Sequence, residues 1–413
     1  MKILFLHSNF PAQFRHLAAA LSRQKDNRVL FATARGEGQM PGVYKILYTT
    51  ARKPNKDTHH YVKSLEEAVL QGQAVYRELD KLKKEGFYPD VVYGHSGWGA
   101  PLFIKDIFPK SRLLCYFEWF YRSSGSDVGF DPDEPVTADD CLRIRIKNTP
   151  ILADLYACDA GLSPTAWQMS QFPIEYRHKI KVLHDGVDTS YFSPRKEERL
   201  VVPEIKLDLS EAGEIVTYVS RGLEPYRGFP QFMEAASFIL EKRKKCHIVV
   251  VGEDRVAYGK RLPDGETYKQ ALLKRYDFDM SRLHFTGRLP YAQYLKVLRT
   301  SSAHVYLTRP FVLSWSMLEA MSAGCVIVAS NTQPVAEVIQ NGQNGLLVDF
   351  FDVKEIAGRV EEALDDPDRM LEIRQNARQT ILNKYDLADI LPQHLDWIRN
   401  DCVISDANKK QAS

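Results

Sequence analysis

The stretch His304 to Ala329 reads HVYLTRPFVLSWSMLEAMSAGCVIVA. His304 to Leu307 suits a short buried strand, and Arg309 to Met321 a small-residue loop running into a helix. Gly324 closes the helix after Ser322-Ala323, and Val326 to Ser330 is the next strand. Strand, loop, helix, strand is the repeating unit of a parallel α/β sheet. Ser314 or Ser316 can cap the helix, leaving free N–H groups and a positive dipole end beyond the strand. Such a terminus suits an anion, a diphosphate in particular. Glu319 lies one turn in, where a carboxylate could accept hydrogen bonds from ribose hydroxyls. The same residues also read as an ordinary capped helix whose Glu319 only complements the dipole.

The alternation extends outward in both directions. Upstream lie Glu214 to Ser220, Phe229 to Lys242, His247 to Val251 and His284 to Thr286. The first half repeats it, with strands at Ile3 to His7, Arg28 to Thr33, Asp90 to Tyr93 and Arg112 to Phe117. Helices are expected over Ala12 to Gln24, Leu65 to Glu85 and Pro150 to Tyr156. The charge run Arg195 to Arg199 inside Pro194 to Ala212 reads as a linker. We therefore expect domains at 1–200 and 201–385, then a helix over Asp386 to Arg399 returning to the first domain. Residues Ser405 to Ser413 read as a disordered tail. The expected fold is α/β, with two doubly wound, Rossmann-like parallel-sheet domains facing across a cleft. Ligands of such sheets bind at the carboxyl ends of the strands.

Composition narrows the function. Of 413 residues, 44% are hydrophobic and 26% charged, with a net charge of +2, so no basic footprint for nucleic acid is present. No apolar run reaches the roughly 18 residues of a membrane span, and Ile3 to Leu6 is too short for a signal-peptide core. Six scattered cysteines without a C-x-x-C pair suit a reducing, cytoplasmic chain with neither disulfides nor structural zinc. The basic helix end Lys81 to Lys84 reads as a solvated terminus, with peripheral membrane contact as the alternative.

A second cluster, Thr217 to Gly228, reads TYVSRGLEPYRG. A strand is expected to end at Ser220, with Arg221 and Arg227 projecting from the loop before the helix at Phe229. Paired guanidinium groups bind phosphate oxygens bidentately, although most arginine pairs are simply solvated. In the first half, Glu118 follows the strand Leu113 to Phe117 and could orient a hydroxyl; it could equally be structural, paired with Arg122. His95, after the strand Asp90 to Tyr93, is either a site residue or a satisfied structural histidine.

Taken together these residues resemble the family-4 retaining glycosyltransferases of GT-B fold. The resemblance runs from Tyr218 to about Arg378, through Val251-Gly252-Glu253, Phe285 to Pro290, Leu318 to Gly324 and Glu337 to Val348. It continues in the first half at Lys181 to Asp188 and Phe192 to Pro194. It implies an acceptor-binding first domain and a second domain that binds a nucleoside-diphosphate sugar, with no metal or other cofactor. By position, Arg221 and Arg227 fall at the diphosphate-binding arginine and lysine, the latter shifted by one residue. Glu319 falls at the second glutamate of the E-x7-E motif, which binds ribose, whereas the first would fall at Phe311. Backbone groups from Val312, Leu313, Ser314, Trp315 and Ser316 would then serve the donor sugar, and Gly287, Arg288 and Leu289 the base. Glu118 stands where many members end that strand region with a catalytic-site histidine.

The implied activity is retaining, metal-independent transfer of a sugar to an acceptor hydroxyl. Alternatives are a sugar-nucleotide epimerase or glycoside phosphorylase of the same fold, or a non-catalytic partner subunit, which the loss at Phe311 motivates. A dinucleotide dehydrogenase is disfavoured because no G-x-G-x-x-G follows a strand. Asp131-Pro132-Asp133 and Asp366-Pro367-Asp368 match a D-x-D metal signature, but read as a loop and a helix-capping turn. His59-His60 lacks a third ligand in the sequence around it.

Overall fold

The computed structural model describes residues 1–195 and 200–400. Most of the charge run, Lys196 to Arg199, and the tail from Ser405 lie outside the described residues. The chain divides into two compact units: Met1–Gly186 together with the chain from Ala388, and Val187–Leu387.

The first unit is built on seven strands: β1 (Lys2–Leu6), β2 (Arg28–Thr33), β3 (Val43–Leu47), β4 (Val91–His95), β5 (Arg112–Tyr116), β6 (Ala160–Ser163) and β7 (Ile180–Val182). They form one parallel sheet in the order β3-β2-β1-β4-β5-β6-β7. Ile3 to Leu6 are wholly buried, as expected where helices cover both faces of a parallel sheet. Burying each such side chain contributes about 1.5–3 kcal/mol. Phe5 stands in register with Phe31 and Tyr93, and all three rings pack with Phe14. The expected helix from Ala12 begins as a 3-10 turn, Ala12–Phe14, and becomes α-helical only over Arg15–Ser22. The final helix, Leu387–Asn400, lies against this sheet. Trp397 meets Tyr93 edge to face at 5.4 Å, and the Arg112 guanidinium donates to the carbonyls of Trp397 and Ile398.

The second unit opens with a two-stranded antiparallel ladder, β8 (Val201–Val202) and β9 (Leu207–Asp208). Its main sheet comprises β10 (Glu214–Gly222), β11 (Cys246–Glu253), β12 (Leu283–Gly287), β13 (Ala303–Tyr306), β14 (Ile327–Ser330) and β15 (Leu346–Val348). The strands are parallel, in the order β12-β11-β10-β13-β14-β15. In both main sheets the strand order reverses at one place, between β1 and β4 and between β10 and β13. A crevice forms there at the carboxyl ends of the strands, because the flanking connections leave in opposite directions.

No helix among the described residues is long and apolar enough to cross a membrane. At the basic end of the helix Lys63–Lys84, Lys81 pairs with Glu78, Lys84 with Asp80, and Lys83 donates to the Ile107 carbonyl. Asp366 caps the helix Pro367–Lys384, and Asp131 accepts from the Asp133 amide in a short turn.

Candidate functional site

In the second unit the reversal point gathers the residues that the sequence singled out. β10 runs two residues beyond the expected end at Ser220, so Arg221 belongs to the strand, not to the loop. Its side chain is exposed. Pro225–Arg227 then form a 3-10 turn, and Gly228 starts the helix Phe229–Lys242 with φ +62°. A Cβ at Gly228 would lie 2.5 Å from that of Leu307, so only glycine fits this approach to the end of β13.

Arg227 does not project. It is buried, and its guanidinium donates to the Tyr306 hydroxyl (3.1 Å), Thr308 Oγ1 (2.7 Å) and the Val312 carbonyl (3.0 Å). The fork therefore stitches the turn after β10 to the loop after β13. The Tyr306 hydroxyl also accepts from the Ser314 amide at 2.9 Å. Of the two possible caps, Ser314 is the one used: its Oγ accepts from the Ser316 amide and contacts the Ser316 hydroxyl at 2.9 Å. The helix Trp315–Ser322 follows. Val312, Trp315 and Ser316 are half-buried, whereas Leu313 is core.

Glu319 is buried and accepts from the Tyr294 hydroxyl at 2.8 Å. Burial, reinforced by the Glu319 charge, pushes the Tyr294 phenol well above its usual range. Phe311 is buried too, its ring edge-on to Tyr226 at 5.5 Å and to Tyr258 at 5.3 Å. The Arg227 guanidinium lies 5.5 Å from Tyr258 and 6.0 Å from Phe311, so the missing carboxylate is replaced by an aromatic wall beside a cation. Gly287 has φ +68°, Arg288 is exposed, and Leu289 packs into the core. Arg288 and Arg221 are close enough to act on one carboxylate: Glu253 is held below the usual range, chiefly by its bond to Arg255 and further by these two charges.

One organising residue has no role in the sequence reading. Glu224 is fully buried, and its carboxylate accepts from the amides of Ala257, Tyr258 and Gly259 at 2.7–3.1 Å. It fixes the loop that carries Tyr258. The available signal was a carboxylate set between Leu223 and Pro225, in a loop whose neighbours are apolar or glycine.

The first unit presents a second constellation at its own reversal point. Glu118 lies two residues beyond β5, and its Oε1 accepts from Gln13 Nε2 at 3.0 Å. His95, the last residue of β4, is buried, with Nε2 3.4 Å from Glu118 Oε2 but not aligned for a hydrogen bond. Its Nδ1 contacts the Ser96 carbonyl at 2.9 Å, and its ring stands edge-on to His7 at 4.8 Å. Arg122 does not pair with Glu118; it donates to the Gln171 carbonyl. Behind His95, Asp154 is buried and accepts from the Ser96 hydroxyl at 2.7 Å. Burial raises its carboxyl pKa to about 7. Trp98, Glu118, Tyr121 and Lys147 line an open pocket in this unit.

Among the described residues no group of three or more His, Cys, Asp or Glu side chains is placed to hold a metal ion. His60 contacts Asp139 at 3.2 Å and stacks on His59.

Comparison with known proteins gives a consistent picture. Residues 204–380 match the family described as Glycosyl transferases group 1, and residues 25–192 match the Glycosyl transferase family 4 group. The chain is 28% identical over 174 residues to the alpha-D-kanosaminyltransferase of Streptomyces kanamyceticus, covering 42% of each chain. It is 24% identical over 315 residues to a D-inositol 3-phosphate glycosyltransferase of Acidothermus cellulolyticus, covering 72% of this chain and 63% of that one. The chain thus spans about half the length of these curated relatives. Its fold is similar to that of Anabaena Alr3699/HepE, crystallised in complex with UDP-glucose. The TM-score is 0.71 at 15% identity, covering 96% of this chain and 99% of that one.

Proposed function

Because the chain belongs to the group 1 glycosyltransferases of GT-B fold, we propose that it is a retaining, metal-independent glycosyltransferase. The donor is a nucleoside-diphosphate sugar and the acceptor a hydroxyl. The observation that carries this reading is the placement of Arg221 at the carboxyl end of β10 and of the capped start of the helix Trp315–Ser322 beyond the adjacent, parallel β13. Negative charge grows on the diphosphate as the sugar leaves. Fixed donors aimed at that charge lower the barrier without reorganising. Arg221 supplies the exposed cation, and the amides around Ser316 supply the dipole end. Arg227 acts one step back, by holding the Val312 carbonyl and Tyr306 in place.

Glu319 receives the ribose hydroxyls, oriented by Tyr294, and Gly287 to Leu289 adjoin the base. Glu118, held by Gln13 with the His95 ring alongside, orients the acceptor hydroxyl. In the transfer the acceptor oxygen bonds to the anomeric carbon on the face from which the diphosphate departs. The carbon–oxygen bond to phosphate breaks, and the acceptor proton passes to the leaving phosphate oxygen. Retention by this route follows from the family resemblance.

The test is nucleotide release from UDP-, GDP-, ADP- and dTDP-linked sugars by wild type, Arg221→Ala and Glu319→Ala, with and without EDTA. One donor turned over slowly, insensitive to EDTA and lost in Arg221→Ala, supports the reading. Metal dependence overturns the metal-independent assignment, and an inverted anomer in the NMR spectrum of the transfer product overturns retention. Failure of every donor to bind or turn over favours a non-catalytic partner, for which Phe311 in place of a carboxylate is the supporting observation.

A further inference from the structure

The first-unit pocket carries more chemistry than an oriented hydroxyl requires. Trp98 on its rim leaves 51% of its surface exposed, a large amphipathic ring presented to solvent. The backbone that carries it is tightly placed. Gly97 and Gly99 both have φ +95°, and a Cβ at Gly99 would lie 1.9 Å from the Ala68 carbonyl oxygen. The turn that carries Trp98 is thereby seated closely on the helix Lys63–Lys84.

On another wall stands Lys147, the last residue of the helix Ala138–Lys147. Its ammonium sits 3.5 Å from the centroid of the Tyr121 ring and makes no hydrogen bond or ion pair among the described residues. Tyr121 is fixed beneath it by Asn148, which accepts from the Tyr121 amide at 3.0 Å and donates to its carbonyl at 2.8 Å. A half-buried ammonium without an anion is costly, and the cost is relieved when one arrives. Burial lowers the Lys147 pKa to about 8; the Asp127 charge opposes that shift and Arg143 adds to it.

We propose that this pocket takes a saccharide bearing an anionic group, with its ring laid on Trp98 and its carboxylate or phosphate bound by Lys147. A hydroxyl of that saccharide meets Glu118. A neutral sugar would use the indole and Glu118 but leave the ammonium unanswered. The inference rests on the reading of this pocket as the acceptor site.

The test titrates the full chain calorimetrically with methyl α-D-glucuronide, glucose 6-phosphate, methyl α-D-glucoside and inorganic phosphate. At least one anionic sugar should bind about tenfold more tightly than the neutral glycoside. Which of the two does so identifies a carboxylate or a phosphate as the group recognised. Lys147→Gln should abolish the difference, and Lys147→Arg should keep most of it. If Lys147→Gln does not fold, Trp98→Ala replaces it and should weaken all three sugars about equally. Equal binding of charged and neutral sugars overturns the proposal. So do a preference that survives Lys147→Gln, inorganic phosphate binding as tightly as the anionic sugars, and no binding at all. These titrations need no donor and no turnover. Nucleotide release on the same preparation therefore reports separately on the transferase reading.

Discussion

Arg227 and Val312 are joined by a 3.0 Å hydrogen bond from guanidinium to main-chain carbonyl, which ties the turn after β10 to the loop after β13. Two further bonds, to Tyr306 and Thr308, spend the same fork inside the protein. Arg227→Ala should therefore lower stability by about 3–5 kcal/mol in urea unfolding, through buried partners left unsatisfied. Arg221→Ala, at an exposed position, should fall within about 0.5 kcal/mol of wild type while losing nucleotide binding. Similar stability losses in the two variants would contradict this division of labour.

Glu224 holds three consecutive amides on one carboxylate. Glutamine offers one acceptor oxygen and turns an NH2 towards N–H donors. Glu224→Gln should speed hydrogen exchange at 257–259 by about tenfold or more while leaving the core strands protected. Unchanged exchange there would show that the loop is held by other means.

Asp154 makes stability depend on pH with a definite sign. Its pKa is raised to about 7, above that of an exposed aspartate, so the folded state keeps a proton that the unfolded state has lost. The resulting penalty grows as pH rises from about 4 to about 7 and is constant above that. Asp154→Asn still offers an oxygen to Ser96. It should melt near wild type at pH 4 and gain on the order of 4 kcal/mol by pH 8. A difference that does not change with pH would place the ionisation elsewhere.

Tyr294 and Glu319 should behave as one unit. Tyr294→Phe removes the donor at 2.8 Å and costs about 1 kcal/mol; Glu319→Gln should cost a similar amount. In the double variant the losses should not add, and nucleotide-sugar affinity should fall in each single variant. Additive losses would mean that the hydroxyl does not orient the carboxylate.

The strands with continuous apolar runs were legible, because a strand covered on both faces needs them: Ile3 to Leu6 and His247 to Val251 are examples. Strands β3 and β6 were not. Val43–Leu47 is half-exposed on the sheet edge, and Ala160–Ser163 contains Gly161, where a Cβ would lie 2.4 Å from the Phe117 ring. The helix start at Ser314 or Ser316 could be read because a cap follows locally from strand, loop and helix, whereas Arg221, expected in the loop, belongs to β10. The brace on Glu118 comes from Gln13, 105 residues away, and no spacing rule reaches that far. Likewise, Arg227 reads as a surface cation until Tyr306 and Thr308 are seen to face it. One-dimensional pattern gives the direction of a loop and leaves open what its polar groups meet.

The placement of Trp397 against Tyr93 also bears on how the protein is made. The helix that seals the first unit is the last described segment to leave the ribosome, after the whole of the second unit has emerged. Until then the face that Phe14 covers only in part lacks the rest of its cover, and the ring of Tyr93 waits under a chain still growing. A chain halted after Gly186 would keep that face open for good, and such surfaces aggregate. The first unit is thus first in sequence and last to be finished.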